Sequence, residues 1–249
     1  MALRVYLAGN VAIEDGDVLV PERALPGRQG RLTLAVLAWE RQRSISLEEL
    51  ADVVWDGEPP NAWDTAIRVL VSKVRRTLGE AATIQHAFGC YQLRLPPDSW
   101  VDVEAADAAV HEAELAWRGG DRASALGAAL VANAIARRPF LAGDAGGWVE
   151  RRRDHLRQVR VRALEVRAGV ALANGDTVGA AADAELVIEL DPYRETAHVV
   201  LMRANAAAGN TAKALAAYEA LRSRLADELG AAPSPQAESA YLAILRATG

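Results

Sequence analysis

Between Ser46 and Leu95 the chain runs through a capped apolar stretch, a double proline, a second periodic stretch and an alternating tail. Few folds accept that order: a helix, a forced turn, a second helix, then a hairpin. Within Asn61–Gly79 the residues Trp63, Ala66, Ile67, Leu70, Val71, Val74 and Leu78 recur at helical spacing, which predicts one buried face. The opposite face carries Thr65, Arg68, Ser72, Arg75 and Arg76, with Lys73 alongside. From Ala66 to Leu78 there are four basic residues and no acidic one, a local field that suits a polyanion. An ordinary amphipathic helix with a solvated basic face is the plainer alternative, and only the flanking sequence decides between them.

Upstream, Arg31–Trp39 reads as a helix that packs beneath the other two, and Ser46 followed three residues later by Glu49 is a capping box opening a helix to Trp55. Asp56-Gly-Glu-Pro-Pro-Asn61 then stops it, because each proline lacks a donor and restricts its predecessor. Downstream, Tyr91, Leu93 and Leu95 alternate with Gln92 and Arg94, and Gly89 sits near the bend, as in a hairpin. Earlier still, Leu3–Leu7, Val11–Ile13 and Val18–Val20 read as short strands.

The second half, after the proline-bearing connector Leu95-Pro-Pro-Asp-Ser99, is alanine-rich and periodic throughout, so it is expected to be all α. Gly175 and Gly209 lie 34 residues apart, each after one alanine-rich helix and before another. That is the tetratricopeptide period. Aligned on these glycines, Thr177 matches Thr211, Ala180 matches Ala214 and Val187 matches Leu221. Gly119-Gly-Asp-Arg122 forms an earlier turn of the same kind.

Charge tempers the reading. Residues 1–98 hold 11 Lys and Arg against 13 Asp and Glu, and the remainder 17 against 20, so the net values of −2 and −3 make up the −5 of the chain. Neither half is broadly basic, and any polyanion binding has to come from an arranged patch. The single cysteine, Cys90, excludes an internal disulfide and reads as a bystander thiol. His86, His111, His155 and His198 fit no metal-ligand spacing, and Leu141-Ala-Gly-Asp-Ala-Gly-Gly147 lacks the Gly-Lys-Ser/Thr ending of a phosphate loop. No catalytic residue, metal or cofactor is expected. No leader pattern and no run of 18 apolar residues is present, so the expectation is a cytoplasmic protein with no membrane partner.

Leu50-Ala-Asp-Val-Val-Trp-Asp-Gly-Glu-Pro-Pro60, Val71-Ser-Lys-Val-Arg-Arg-Thr-Leu-Gly79 and Gly89-Cys-Tyr-Gln-Leu93 resemble the SARP family of bacterial antibiotic-regulatory activators. Ala214-Leu-Ala-Ala-Tyr-Glu-Ala-Leu221, Leu225-Ala-Asp-Glu-Leu-Gly230 and Pro233-Ser-Pro-Gln236 are similar to the end of that family's activation domain. The resemblance implies a mainly α protein with a small β component: an OmpR-type winged helix-turn-helix over residues 1–98 and a tetratricopeptide-like bacterial transcriptional activation domain over residues 99–249. It implies a nucleoid-associated activator that binds promoter direct repeats as a homodimer, recruits RNA polymerase holoenzyme and serves secondary-metabolism genes. Carried onto this chain, Arg68, Ser72 and Arg75, beside Thr65, are the candidate groove contacts. Lys73 and Arg76 fall to phosphates, and Arg94 reaches from the wing. Asp56, Gly57, Glu58 and Asn61 lie in the loop that faces polymerase in this fold. Cys90 departs from the small residue usual at its position. Two readings therefore stand: a sequence-specific activator, and a helical-repeat interaction protein whose winged helix has lost useful DNA affinity. Seven arginines between Arg151 and Arg167 read as a solvated helix or as a docking surface for an acidic partner.

Overall fold

The computed structural model describes residues 3–80 and 82–248. Its contacts divide the chain into two compact units: residues 1–107 with 135–156, and residues 108–134 with 157–249.

In the first unit, strands β1 (Arg4–Tyr6), β2 (Ala12–Asp15) and β3 (Val18–Val20) form an antiparallel meander. Strand β7 (Trp100–Val101) then joins β1 in parallel, giving the order β3-β2-β1-β7. Helices α1 (Gly27–Trp39), α2 (Leu47–Trp55) and α3 (Trp63–Leu78) pack against one another, and the short strand β4 (Ile45–Ser46) precedes α2. A second sheet of order β4-β6-β5 contains the hairpin of β5 (Thr83–Ala87) and β6 (Cys90–Arg94). Ser46 caps α2 as its spacing requires, its Oγ accepting from the Glu49 amide at 3.0 Å. The expected strands, helices and wing are all present, most within a residue or two of their expected limits, but α1 begins at Gly27, four residues before the expected Arg31. Strands β4 and β7 have no antecedent in the sequence reading.

The core of this unit extends past the connector at residues 96–99. Phe140, Leu141, Trp148, Val149 and Leu156 are buried among Leu7, Leu34, Leu37 and Ile67. Ala8 bridges Phe140, and Gly9 donates to the Pro139 carbonyl at 2.9 Å. Asp102 is fully buried, and its carboxylate accepts from the Leu7, Ala8 and Val103 amides at 2.8–2.9 Å. Burial nevertheless pushes its pKa up, against those three hydrogen bonds and the more remote Arg138.

The second unit is all α. Helices α4 (Asp102–Arg118), α5 (Arg122–Ala136) and α6 (Gly147–Ala173) contribute most of their length to it, followed by α7 (Thr177–Leu190), α8 (Glu195–Ala207), α9 (Thr211–Leu229) and α10 (Pro235–Thr248). Gly175 and Gly209 both adopt positive φ, +79° and +78°, and Thr177 and Thr211 each begin the next helix. The 34-residue alignment holds in space, since Ala180, Ala214, Val187 and Leu221 are all fully buried. Small residues at these positions let paired helices approach closely.

The arginines of α6 are mostly structural. Arg153 donates to the carbonyls of Phe140, Leu141 and Asp144, and Arg152 pairs with Glu40 while its guanidinium lies 5.2 and 5.3 Å from the Trp39 and Trp148 ring centres. Arg162 forms a bidentate pair with Glu114, and Arg167 pairs with Asp183. The 141–147 loop therefore turns carbonyls toward arginine and holds a buried carboxylate, Asp144, paired with Arg28 and Arg31. That polarity is the reverse of a phosphate cradle. Trp63, which periodicity puts on the buried face of its helix, is half-buried, as are Trp55 and Trp117, whereas Trp148 at the start of α6 is buried.

Candidate nucleic-acid interface

Helix α3 follows the turn forced by Pro59 and Pro60 and ends at Gly79, whose φ of +59° breaks the helix. Ile67, Leu70, Val71, Val74 and Leu78 face the core. The remaining arc is exposed and carries Thr65, Arg68, Ser72, Lys73, Arg75 and Arg76. Among the described residues, Arg68, Lys73 and Arg76 have no hydrogen-bond or ion-pair partner. Three cations held without a carboxylate on one rigid helix face are free for an anion.

Arg75 is placed differently from its neighbours. Its Nε and Nη2 both donate to the Ile84 carbonyl on β5, at 3.1 and 2.6 Å, and its guanidinium lies 5.8 Å from the Tyr91 ring centre. The side chain fastens α3 to the wing. Arg94 is exposed and donates to Gln85 across the hairpin at 3.1 Å.

Sequence periodicity missed two residues. Val69 is 47% exposed in the middle of the basic arc, where an apolar side chain suits a thymine methyl group. Its signal was present: a valine off the buried stripe, three residues before Ser72. Phe88 stands at the wing tip fully exposed, with φ +51°, and Gly89 follows at +73°. Two successive left-handed residues between the paired Ala87 and Cys90 make the tight hairpin turn that Asn-Gly normally supplies. The sequence placed the bend near Gly89 but did not single out Phe88.

In the loop after α2, Asp56 and Gly57 both have positive φ, +51° and +82°. The Asp56 carboxylate accepts from the Gly147 amide at 3.1 Å, at the N-terminus of α6. A Cβ on Gly146 would lie 2.8 Å from that carboxylate, so glycine is needed there. Gly57, Glu58 and Asn61 are exposed. Cys90 is half-buried and free. Among the described residues, no group of three or more His, Cys, Asp and Glu side chains is placed to hold a metal ion, and no helix is long and apolar enough to cross a membrane.

Comparison with known proteins places this geometry. The family described as "Bacterial transcriptional activator domain" matches residues 101–245. Regulatory protein AfsR of Streptomyces coelicolor is 31% identical over 99% of this chain, and the match covers 24% of AfsR. Regulatory protein DnrI of Streptomyces peucetius is 27% identical over 88% of this chain and 85% of its own length. The solved structure of Mycobacterium tuberculosis EmbR in complex with a low affinity phosphopeptide superposes with a TM-score of 0.86 at 26% identity, covering 98% of this chain and 65% of that one. The chain belongs to the bacterial transcriptional activator domain family, in its SARP-type, winged-helix form. That family consists of transcriptional regulators and not enzymes. The chain spans about a quarter of the length of the AfsR proteins it matches.

Proposed function

We propose that the chain is a sequence-specific transcriptional activator whose residues 1–98 read promoter DNA and whose residues 99–249 form the activation domain. The observation that carries this reading is the exposed arc of α3, with Arg68, Ser72, Lys73 and Arg76 unencumbered and aligned. Arg68 and Ser72, with Thr65 and Val69, meet base edges in the major groove, while Lys73 and Arg76 take phosphates. Arg94 meets the backbone from the wing. Pairing of two chains on direct repeats offsets the modest affinity of a reader whose own half carries a net charge of −2. Glu58, Gly57 and Asn61 face RNA polymerase, and Asp56 shapes that loop by its bond to Gly147. The resemblance to antibiotic-regulatory activators supports promoters of secondary-metabolism genes as the targets.

The test is a gel-shift titration on DNA from upstream of the chain's own gene, at two salt concentrations and against unrelated competitor. A specific shift that weakens steeply with salt is expected. Arg68→Glu with Arg76→Glu should abolish it while leaving the melting temperature within a degree or two, because neither side chain has a partner to lose. A shift that the double variant retains, or that unrelated DNA removes equally, would overturn the reading.

A further inference from the structure

The helical unit has a half-open cavity of about 310 Å³, lined by residues of α4, α6, α7, α8 and α10. The Trp117 indole forms part of its wall and lies against α6 at Gly169, where a Cβ would come within 2.9 Å of the ring. Val200 continues the wall with apolar surface, and the buried Val166, Ala184 and Val187 lie behind it. Such a volume and lining suit a small ligand.

The polar groups on this lining are sorted by charge. Glu114 is held by Arg162 in a bidentate pair at 2.6 and 2.8 Å, and Glu165 by Arg194 at 2.9 and 2.8 Å, so both carboxylates are already neutralised by planar guanidinium partners. Arg203 lines the same cavity from α8 and has no carboxylate or hydrogen-bond partner among the described residues. The uncompensated charge is therefore a single cation beside an apolar wall. An amine entering here meets no free carboxylate. A carboxylate meets a guanidinium whose fork is open and whose geometry matches it.

We propose that this cavity binds a small organic acid, with its apolar body against Trp117 and Val200 and its carboxylate on Arg203. The ligand class goes beyond the reading of promoter DNA and does not depend on it. A second cavity of about 460 Å³ also borders Arg203, but it is lined by Thr211 and Ser239 and not by Trp117 or Val200. A variant at Val200 therefore separates the two.

Isothermal titration calorimetry of the full chain with octanoate, 4-phenylbutyrate and octan-1-ol tests the assignment. Both acids are expected to bind saturably, and the alcohol more weakly. Arg203→Gln, at an exposed position, should weaken the acids by about tenfold or more, the loss of one charge-assisted contact. Val200→Trp should abolish binding by filling the cavity, with circular dichroism and melting confirming that the helices are intact; Arg203→Gln keeps the proposal testable if it does not fold. Absence of saturable binding by either acid overturns the proposal, as does equal binding of acid and alcohol or an unchanged affinity in Arg203→Gln. Binding that survives Val200→Trp but is lost in Arg203→Gln overturns it too, by placing the acid in the neighbouring cavity.

Discussion

Phe88 combines two unfavourable choices at one residue, a bulky side chain in left-handed backbone and a fully exposed aromatic ring. Neither helps the hairpin, for which asparagine would serve better. Phe88→Asn should therefore stabilise the chain by roughly 1 kcal/mol, read in urea denaturation, while weakening promoter binding in the same gel shift. A variant that gains stability and keeps full affinity would show that the ring has no part in DNA binding. His198 presents the opposite situation, a buried imidazole 3.2 Å from the Pro192 carbonyl whose pKa is lowered from its ordinary 6.5, chiefly by burial. The folded state resists protonation there. As pH falls below 6.5, the unfolded chain takes up a proton that the folded chain refuses, so stability is intact above that pH and declines beneath it. Denaturation between pH 7.5 and 5.5 should show this decline, up to about 1.4 kcal/mol per pH unit for one histidine. His198→Gln should flatten it, and an unchanged slope would assign the decline to other groups.

At the scale of elements, helix α3 and the wing are held together by a side chain that the sequence offered to DNA. Periodicity places Arg75 on the exposed arc of α3, and so it is, but the Ile84 carbonyl lies within reach of that arc and takes both donors. Helical spacing reveals which face a residue occupies; it does not reveal what another strand brings to that face. Arg75→Gln should cost about 1 kcal/mol and speed hydrogen exchange along β5 and β6. If exchange in the hairpin is unaffected, Arg75 is not a tie and returns to the list of base contacts. The same blindness explains the α6 arginines. Arg152 and Arg153 look like a solvated charge run in sequence, and become structural only because Trp39, Trp148 and the carbonyls of the 140–144 segment surround them.

For the whole molecule, the consequence concerns where a fragment can be cut. Residues 1–98 contain the winged-helix elements up to the hairpin but omit β7 and the buried Phe140, Leu141, Trp148, Val149 and Leu156. At about 1.5–3 kcal/mol for each buried side chain, these five contribute on the order of 10 kcal/mol, comparable with the entire stability of a typical domain. A fragment of residues 1–98 should therefore melt without a cooperative transition, whereas residues 1–156 should retain one in differential scanning calorimetry. A cooperative transition in the shorter fragment would show that the 135–156 segment is dispensable.

The sequence by itself determined the helices, the forced turn, the wing and the 34-residue repeat, because each depends on local periodicity, on proline and glycine backbone limits, and on spacing along one chain. It also placed Thr65, Arg68, Ser72, Lys73, Arg75 and Arg76 on the exposed face of α3, though not Val69. Tertiary structure alone decided that Asp102 is buried against Leu7 and Ala8, that residues 135–156 complete the winged-helix core, and that Arg75 is tied while Arg68 and Arg76 are free. These outcomes join residues far apart in sequence or on different elements, and their energies depend on which groups are brought together out of water.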